Sequence, residues 1–429
     1  MIRIRDPIHG SIIISPAELA VIDHRVFQRL RGVKQLGFTD MAFPGATHTR
    51  YAHSLGAMEV ATRMFDALFP VDRGLLPPAT RQRFRQMVRL ALLLHDVGHP
   101  PASHASEAAM PLRAALGLPC FTAAEQAQRA THEDYTLKLL LHSALADILN
   151  GRFVDDGVTP EHIGHLVAGR FPDRAEAFVV GGVDYFPLLT QLVSGEMDAD
   201  RMDYLQRDSF FAGVSYGKFD QSWLLENLSF EVVADRALMA LSHRAVFAFE
   251  DFLLSRYHMF VSVYYHYIPV GFDTMLLRFY AEAPEDFTLP ADAEAYAASD
   301  DVALWSALRR STNVWAQRIA QRQAFRRLLE THVEPARVDI DALSLRLDEA
   351  GIEHFVSLDR GVLSKYYGRG IADRPIYVVN RDLNEVRPID EYSRIYERYA
   401  QPTKLIRIYC RPDQIEAGRK VLGGVVPAA

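Results

Sequence analysis

The sequence predicts a mainly α-helical protein with a smaller α+β lobe at its C-terminal end. Three observations predict it. Apolar residues recur at helical spacing from Pro16 to about residue 280, and the runs end at Gly, Pro or Ser. After about residue 331 that spacing gives way to short runs rich in β-branched and aromatic residues. The 429 residues, 49% hydrophobic and 24% charged, suit one large globular unit and a smaller one. We therefore expect an all-helical body over residues 1–330 and an α+β lobe over 331–429.

Taken in order, residues 1–15 alternate weakly and predict a hairpin around His9-Gly10. Pro16 followed by AELAVID starts a helix, and VFQRLRGVKQLG reads as an amphipathic helix with a Gly stop. Further helices are expected over HSLGAMEVATRMFDALF, RQRFRQMVRLALLLHDVG, HEDYTLKLLLHSALADIL, DYFPLLTQLVSG and DADRMDYLQRDSFFAG. One long helix is expected from Phe247 to Glu282. APEDFTLPADAEAY reads as a surface loop, and helices resume over DDVALWSALRRS and VWAQRIAQRQAFRRLLE. In the lobe, ARVDIDALSLRL, RPIYVVN, EVRPID and LIRIYC favour strands, and DQIEAGRKVLG a helix.

Composition narrows the function classes. A net charge of −7 gives no global electrostatic case for nucleic acid, and nothing singles out a single-stranded nucleic acid as partner. Two cysteines, Cys120 and Cys410, suggest neither a disulfide framework nor a thiolate zinc site. Any metal must then be held by His and Asp. MIRIRDPIHG is charged from its third residue, unlike a signal peptide, and no apolar run approaches the roughly 20 residues that span a bilayer. A cytoplasmic protein without membrane contact is the expectation.

Chemistry concentrates in LALLLHDVGHPPASH. His95 and Asp96 end an apolar helix, and His99 returns to the same face. Buried polar groups need partners, and a divalent metal would satisfy an imidazole and a carboxylate together. The bland alternative is a helix end whose histidines complement the dipole, with Gly98 and Pro100 as stop signals. FPGATHTRYAHSLG adds His48, Arg50 and His53 at the start of another helix. In GEMDADRMDYLQRDS, Asp200, Tyr204 and Asp208 fall at i, i+4 and i+8 on one stripe, beside Arg201. A solvated charged face is the ordinary reading of such a stripe, and its apolar neighbours argue against full exposure.

His53, His95-Asp96 and Asp200 reproduce the ordered pattern H…HD…D. With DPIHG, FQRLRGVKQLG, FPGATHTRYAHSLG, HDVGHPPASH, THED and DADRMDYLQRDS in the same order, the chain resembles the HD-domain deoxynucleoside triphosphate triphosphohydrolases. The resemblance runs from about residue 5 to about residue 280 and returns near LIRIYC, with the central HD helices at about 48–210. It implies cleavage of a dNTP, dGTP or several of them, to deoxynucleoside and inorganic triphosphate. It implies His53, His95, Asp96 and Asp200 as ligands of a divalent metal, with Mn, Fe, Ni, Zn and Mg all compatible with such donors.

By the same resemblance His104 is the general acid and Glu107 its acidic partner, with His99 and His132 as further active-site histidines. Arg50, Arg201 and Arg256 match phosphate-binding positions. Tyr204, Asp208 and Tyr264 match the deoxyribose contacts, and Gln35 and Leu36 neighbour sugar and base. Asp23, Gln28 and Arg31 match part of a dNTP or NTP activator site between subunits of a homo-oligomer, a tetramer in this reading. Arg5, Ser242 and Tyr267 depart from that site's pattern, so the activator's identity stays open, as does base preference. Two other functions remain in view: hydrolysis of another nucleotide phosphoester, and a non-catalytic regulator that binds nucleotides or nucleic acid.

Overall fold

The structure, a computed structural model, describes residues 2–332, 339–361, 374–395 and 403–423. It begins with the expected hairpin, in which β1 (Ile2–Asp6) pairs antiparallel with β2 (Gly10–Ile14). Ser15 and Glu18 then form a reciprocal cap on the helix Pro16–Ile22, with Pro16 pre-set for the first turn.

Six helices position the site: α1 (Arg50–Leu68), α2 (Pro78–Leu94), α3 (His132–His142), α4 (Ala199–Ala212), α5 (Val246–Met259) and α6 (Tyr267–Glu282). α1 packs along α2 on one side and α4 on the other. The final turn of α2, Leu92, Leu93 and Leu94, is wholly buried, so the polar residues after it emerge inside the molecule. α4 is capped by Asp198, which accepts from Arg201 N–H, and ends at Gly213 in the left-handed conformation at φ 72°.

The helical expectation fails at several places. Residues 26–37 form only a short helix, Arg25–Gln28, and a 3-10 turn, Arg29–Gly32. The body is not all-helical, because strands β3 (Val179–Val180), β4 (Val183–Asp184), β5 (Leu228–Val233) and β6 (Arg236–Ser242) lie within it. HEDYTLKLLLHSALADIL splits at Ser143, whose hydroxyl caps a second helix, Ala144–Phe153. The long helix expected from Phe247 is broken by a π-helical turn, Phe260–Tyr264, before α6 begins. Within the loop expected over 283–296, Ala293–Tyr296 is helical and Tyr296 is buried. VWAQRIAQRQAFRRLLE is helical only over Val314–Ala320, then becomes β7 (Arg326–His332). Of the strand expected over ARVDIDALSLRL, residues 336–338 lie outside the described residues, and Ile340–Glu349 is a helix capped by Asp339.

The remaining strands are β8 (His354–Gly361), β9 (Tyr377–Asn380), β10 (Glu385–Pro388) and β11 (Thr403–Cys410). β7, β11 and β8 make an antiparallel three-stranded sheet in that order. β9 instead runs parallel to β6, and the second sheet has the order β10-β9-β6-β4-β3 with β5 also on β6. No helix among the described residues is long and apolar enough to cross a membrane.

Candidate functional site

α2 ends at His95, whose Nδ1 donates to the Leu92 carbonyl at 2.7 Å. The next turn is drawn against α3: Thr136 donates to the His95 carbonyl at 2.9 Å and accepts from Gly98 N–H at 3.1 Å. A Cβ at residue 98 would lie 2.1 Å from the His132 carbonyl oxygen, so only glycine allows this approach. His95, Asp96 and His99 are thereby held on one side of a tight loop.

His53, in the first turn of α1, faces them. Its Nε2 lies 2.9 Å from Asp200 Oδ1 and 3.7 Å from Asp96 Oδ2. His95 Nε2 lies 3.4 Å from the same Asp200 oxygen and 3.3 Å from Asp96 Oδ1. Both imidazoles spend their Nδ1 elsewhere, His53 on Asp203 at 2.7 Å and His95 on Leu92. Both Nε2 atoms are buried and lack a hydrogen bond of acceptable geometry. Two orphaned imidazole nitrogens converging with the Asp200 carboxylate fit a divalent cation held by His53, His95 and Asp200, and Asp96, its Oδ1 3.3 Å from His95 Nε2, is the fourth candidate donor. Charge favours the same conclusion. Burial opposes a charged His53, yet Asp200 and Asp203 outweigh it and lift its pKa to about 10, so the spot attracts a positive charge.

A cavity of about 860 Å³ opens over this centre. It is lined by Gln35, Leu36, Arg50, His95, Asp96, His99, His104, His132, Asp200, Arg201, Tyr204, Asp208, Arg256 and Tyr264. His53 and Glu107 do not line it but contact residues that do, His53 at Asp200 and Glu107 at His132. Arg50 pairs with Asp96 and donates to Ser103 Oγ at 2.9 Å. Burial raises the cost of the Asp96 charge, but Arg50, His95 and His99 hold its pKa well below the ordinary value. Arg201 donates to the Gly195 carbonyl, and Glu196 lies 3.7 Å from Arg201 and 3.5 Å from Arg256. Tyr264 donates to Asp208 at 2.7 Å and its ring meets Tyr204 edge-on at 6.2 Å.

His99, His104 and His132 form a second cluster next to this centre, with His99 Nε2 3.3 Å from Asp96 Oδ1. His99 stacks on His132 at 3.9 Å between centroids. Burial, with Arg50 and His132 nearby, keeps the His99 pKa well below the ordinary imidazole value. Glu107 takes His132 Nδ1 at 2.5 Å and His104 Nδ1 at 3.2 Å. Burial works against its charge, and the two histidines still hold its pKa below the usual range. Asp23, Gln28 and Arg31 are not brought to the cavity. Asp23 and Arg31 are exposed, Arg31 donates to Gln28 at 2.8 Å, and its guanidinium sits 3.6 Å from the Tyr51 ring centroid.

Sequence reasoning missed several participants. Asp203 supports His53, Glu196 lies between two arginines, and His48 reaches Asp208 at 2.7 Å. His48 and Asp203 lie inside motifs already singled out, but their partners are remote in the chain, and no local signal gives that pairing.

Fold and site together define a mainly helical HD-type protein with His and Asp groups positioned to hold a metal. The HD domain matches residues 50–208, and the HD associated region matches residues 219–367. The chain thus carries an HD domain followed by an HD associated region, and its relatives include proteins named deoxynucleoside triphosphate triphosphohydrolase SAMHD1. An uncharacterised protein of Methanocaldococcus jannaschii is 29% identical over 76% of this chain and 59% of its own length. Deoxynucleoside triphosphate triphosphohydrolase SAMHD1 of Homo sapiens is 24% identical over 95% of this chain and 70% of its own length. A solved structure of a hypothetical protein from Aquifex aeolicus has a TM-score of 0.74 and 28% identity, covering 98% of this chain and 100% of that one. The chain spans 54–59% of the length of its relatives from M. jannaschii, Bacillus subtilis and Mycoplasma pneumoniae.

Proposed function

We propose that the protein is a metal-dependent triphosphohydrolase that cleaves dNTPs to deoxynucleoside and inorganic triphosphate. One observation carries this reading: Arg50, Arg201 and Arg256 share a single cavity with three of the candidate metal ligands, His95, Asp96 and Asp200, and with Tyr204, Asp208 and Tyr264. A phosphomonoester would need fewer cations than a triphosphate of about four negative charges, which is better matched by three guanidinium groups. The similarity to a protein named for this activity supports the same choice.

A divalent ion bound by His53, His95, Asp96 and Asp200 would supply Lewis acidity and a water acidic enough to attack near neutral pH. The protein's own groups do the rest. Arg50, fixed between Asp96 and Ser103, holds the phosphate whose phosphorus is attacked. Arg201 and Arg256, flanking Glu196, bind the rest of the chain of phosphates. When the bond from phosphorus to the 5′-oxygen breaks, His104 donates the proton that oxygen needs, and Glu107 at 3.2 Å keeps the ring oriented. Tyr204 fills the space beside C2′, while Asp208, anchored by His48 and Tyr264, accepts from the 3′-hydroxyl.

The test is product analysis with each dNTP and with Mn, Fe, Ni, Zn and Mg supplied in turn. Nucleoside plus intact triphosphate is the expected outcome; monophosphate or orthophosphate as first product would overturn it for another phosphoester hydrolase. Asp96→Ala should lose metal and turnover together. In the same reading Asp23, Gln28 and Arg31 bind a nucleotide activator between subunits of a homo-tetramer. Sedimentation with and without added dGTP tests that assembly, and a monomer under both conditions would overturn it.

A further inference from the structure

The DPIHG turn, residues 6–10, has no part in the chemistry above, yet its polar side chains are buried behind the metal centre. Asp6 closes its own turn, accepting the N–H groups of Ile8 and His9 at 2.9 Å. Its carboxylate also receives Arg207 at 2.9 and 3.2 Å. Arg207, with no exposed surface, donates through Nε and Nη2 to Asp203, each at 2.9 Å. Asp203 then divides its two oxygens. Oδ1 takes His9 Nε2 at 2.6 Å, and Oδ2 takes His53 Nδ1 at 2.7 Å.

This arrangement is more than an internal ion pair. One buried guanidinium is met by two carboxylates, so a negative charge is left over, and it is directed at the N–H of a candidate metal ligand. A carboxylate there fixes the imidazole tautomer and makes the opposite nitrogen a better donor. Room has been left for it: a Cβ on Gly56 would fall 2.0 Å from Asp203 Oδ1 and 2.2 Å from Arg207 Nη2. The hairpin is also tied to α1 through Arg63, which donates to the His9 carbonyl at 3.0 Å.

We propose that Asp203 is a positioning residue of the metal centre and that the DPIHG turn exists to hold it. Asp203 accepts from His53 Nδ1 and so presents Nε2 to the metal. His9 and Arg207, the latter anchored by Asp6, leave its carboxylate one orientation. The N-terminal hairpin is thereby part of the metal site although it supplies no ligand. The inference rests on His53 being a ligand, as read above.

The experiment measures Mn(II) affinity of the full chain by competition with a chelator, and the midpoint of thermal unfolding with and without Mn(II). Asp203→Asn keeps the shape and removes the charge, and should weaken Mn(II) binding about 10- to 100-fold. His9→Asn and Asp6→Asn should weaken it in the same direction by less, and they decide the matter if Asp203→Asn fails to fold. A purely structural network would lower both unfolding midpoints equally and leave the affinity unchanged; that result overturns the proposal. His95→Ala removes a ligand itself and separates the two readings. If the wild type binds no more Mn(II) than His95→Ala, the metal reading falls and takes this one with it. If only His95→Ala loses binding, the metal centre stands and the role of Asp203 does not.

Discussion

His104 has 69% of its side chain open to solvent, far more than His99 or His132, and it reaches the same Glu107 as His132 does. An exposed imidazole with its Nδ1 held by a carboxylate has Nε2 free to meet an incoming oxygen. It touches none of the four candidate metal ligands. His104→Ala should therefore cut kcat by about 10²–10⁴ while metal content and dNTP binding persist. Calorimetric titration beside steady-state rates checks this, and near-normal kcat would move the acid role to His132. Tyr204 acts differently. Burial pushes its pKa up to about 12, so its hydroxyl stays neutral, and in the proposed function it excludes a 2′-hydroxyl by bulk and by leaving it without a partner. The ratio of dGTP to GTP turnover should be large in the wild type and collapse in Tyr204→Ala through faster GTP cleavage. Equal rates on both sugars in the wild type would remove the deoxyribose reading.

At the level of elements, the loop that carries His99 and His104 is clasped from outside the HD helices. Tyr296 donates to the Gly98 carbonyl at 2.7 Å, and Arg29 donates to the carbonyls of Val97, His99 and Ser299. Asp301, at the start of the helix Asp301–Arg310, accepts from Ala102 N–H at 2.8 Å and Lys34 N–H at 2.9 Å. Ala102 and Ser103, immediately before His104, both sit at φ 55°, a conformation that costs non-glycine residues of order 1 kcal/mol or more each. Asp301→Asn offers an amide where a second acceptor is needed. It should lower unfolding free energy by about 1–3 kcal/mol and kcat more than KM; unchanged kinetics would show that the clasp does not position His104. None of this was readable in advance. The motif residues that line the cavity were legible through the resemblance of their ordered motifs to the HD-domain triphosphohydrolases, because each spacing by itself has an ordinary structural reading. Asp301 and Tyr296 were not, because their partners are other loops' backbone groups 198 to 267 residues away. The hairpin β5–β6 was missed for a related reason. Its turn uses Ala234 and Asp235 at φ 50° and 61° rather than Gly, and ALMALS is built of good helix formers. β7 reads RRLLETH, also helix-forming by propensity, and pairing with β11 overrides it.

Across the described residues the largest of three apolar clusters runs from Ile12 in the hairpin through α1 and α2 to Val378 and Ile389. Because β9 lies parallel to β6, residues far apart in the chain share this core, and unfolding it should be a single cooperative event. Inside it sits one unusual acid. Glu18, with 2% of its surface exposed, binds Arg89 of α2 at 2.6 and 3.0 Å, accepts from Gln86 at 3.1 Å and caps its own helix. The pair ties the helix Pro16–Ile22 to α2 two turns before Asp96. Burial works against the Glu18 charge, but Arg89, Ser15 and Gln86 prevail and hold its pKa below the ordinary 4.5. A carboxyl depressed on folding stabilises the native state fully above the unfolded value and loses that contribution as pH falls through the folded one. Glu18→Gln leaves Arg89 charged and without its carboxylate, which should cost about 3–5 kcal/mol at pH 7. The deficit relative to wild type should shrink once the pH drops below 4.5, as the wild-type carboxyl takes up its proton. Denaturant unfolding of both proteins at pH 7, 5, 4 and 3 reads this directly. A deficit that stays constant across that series would mean Glu18 stabilises the core through packing alone, without its charge.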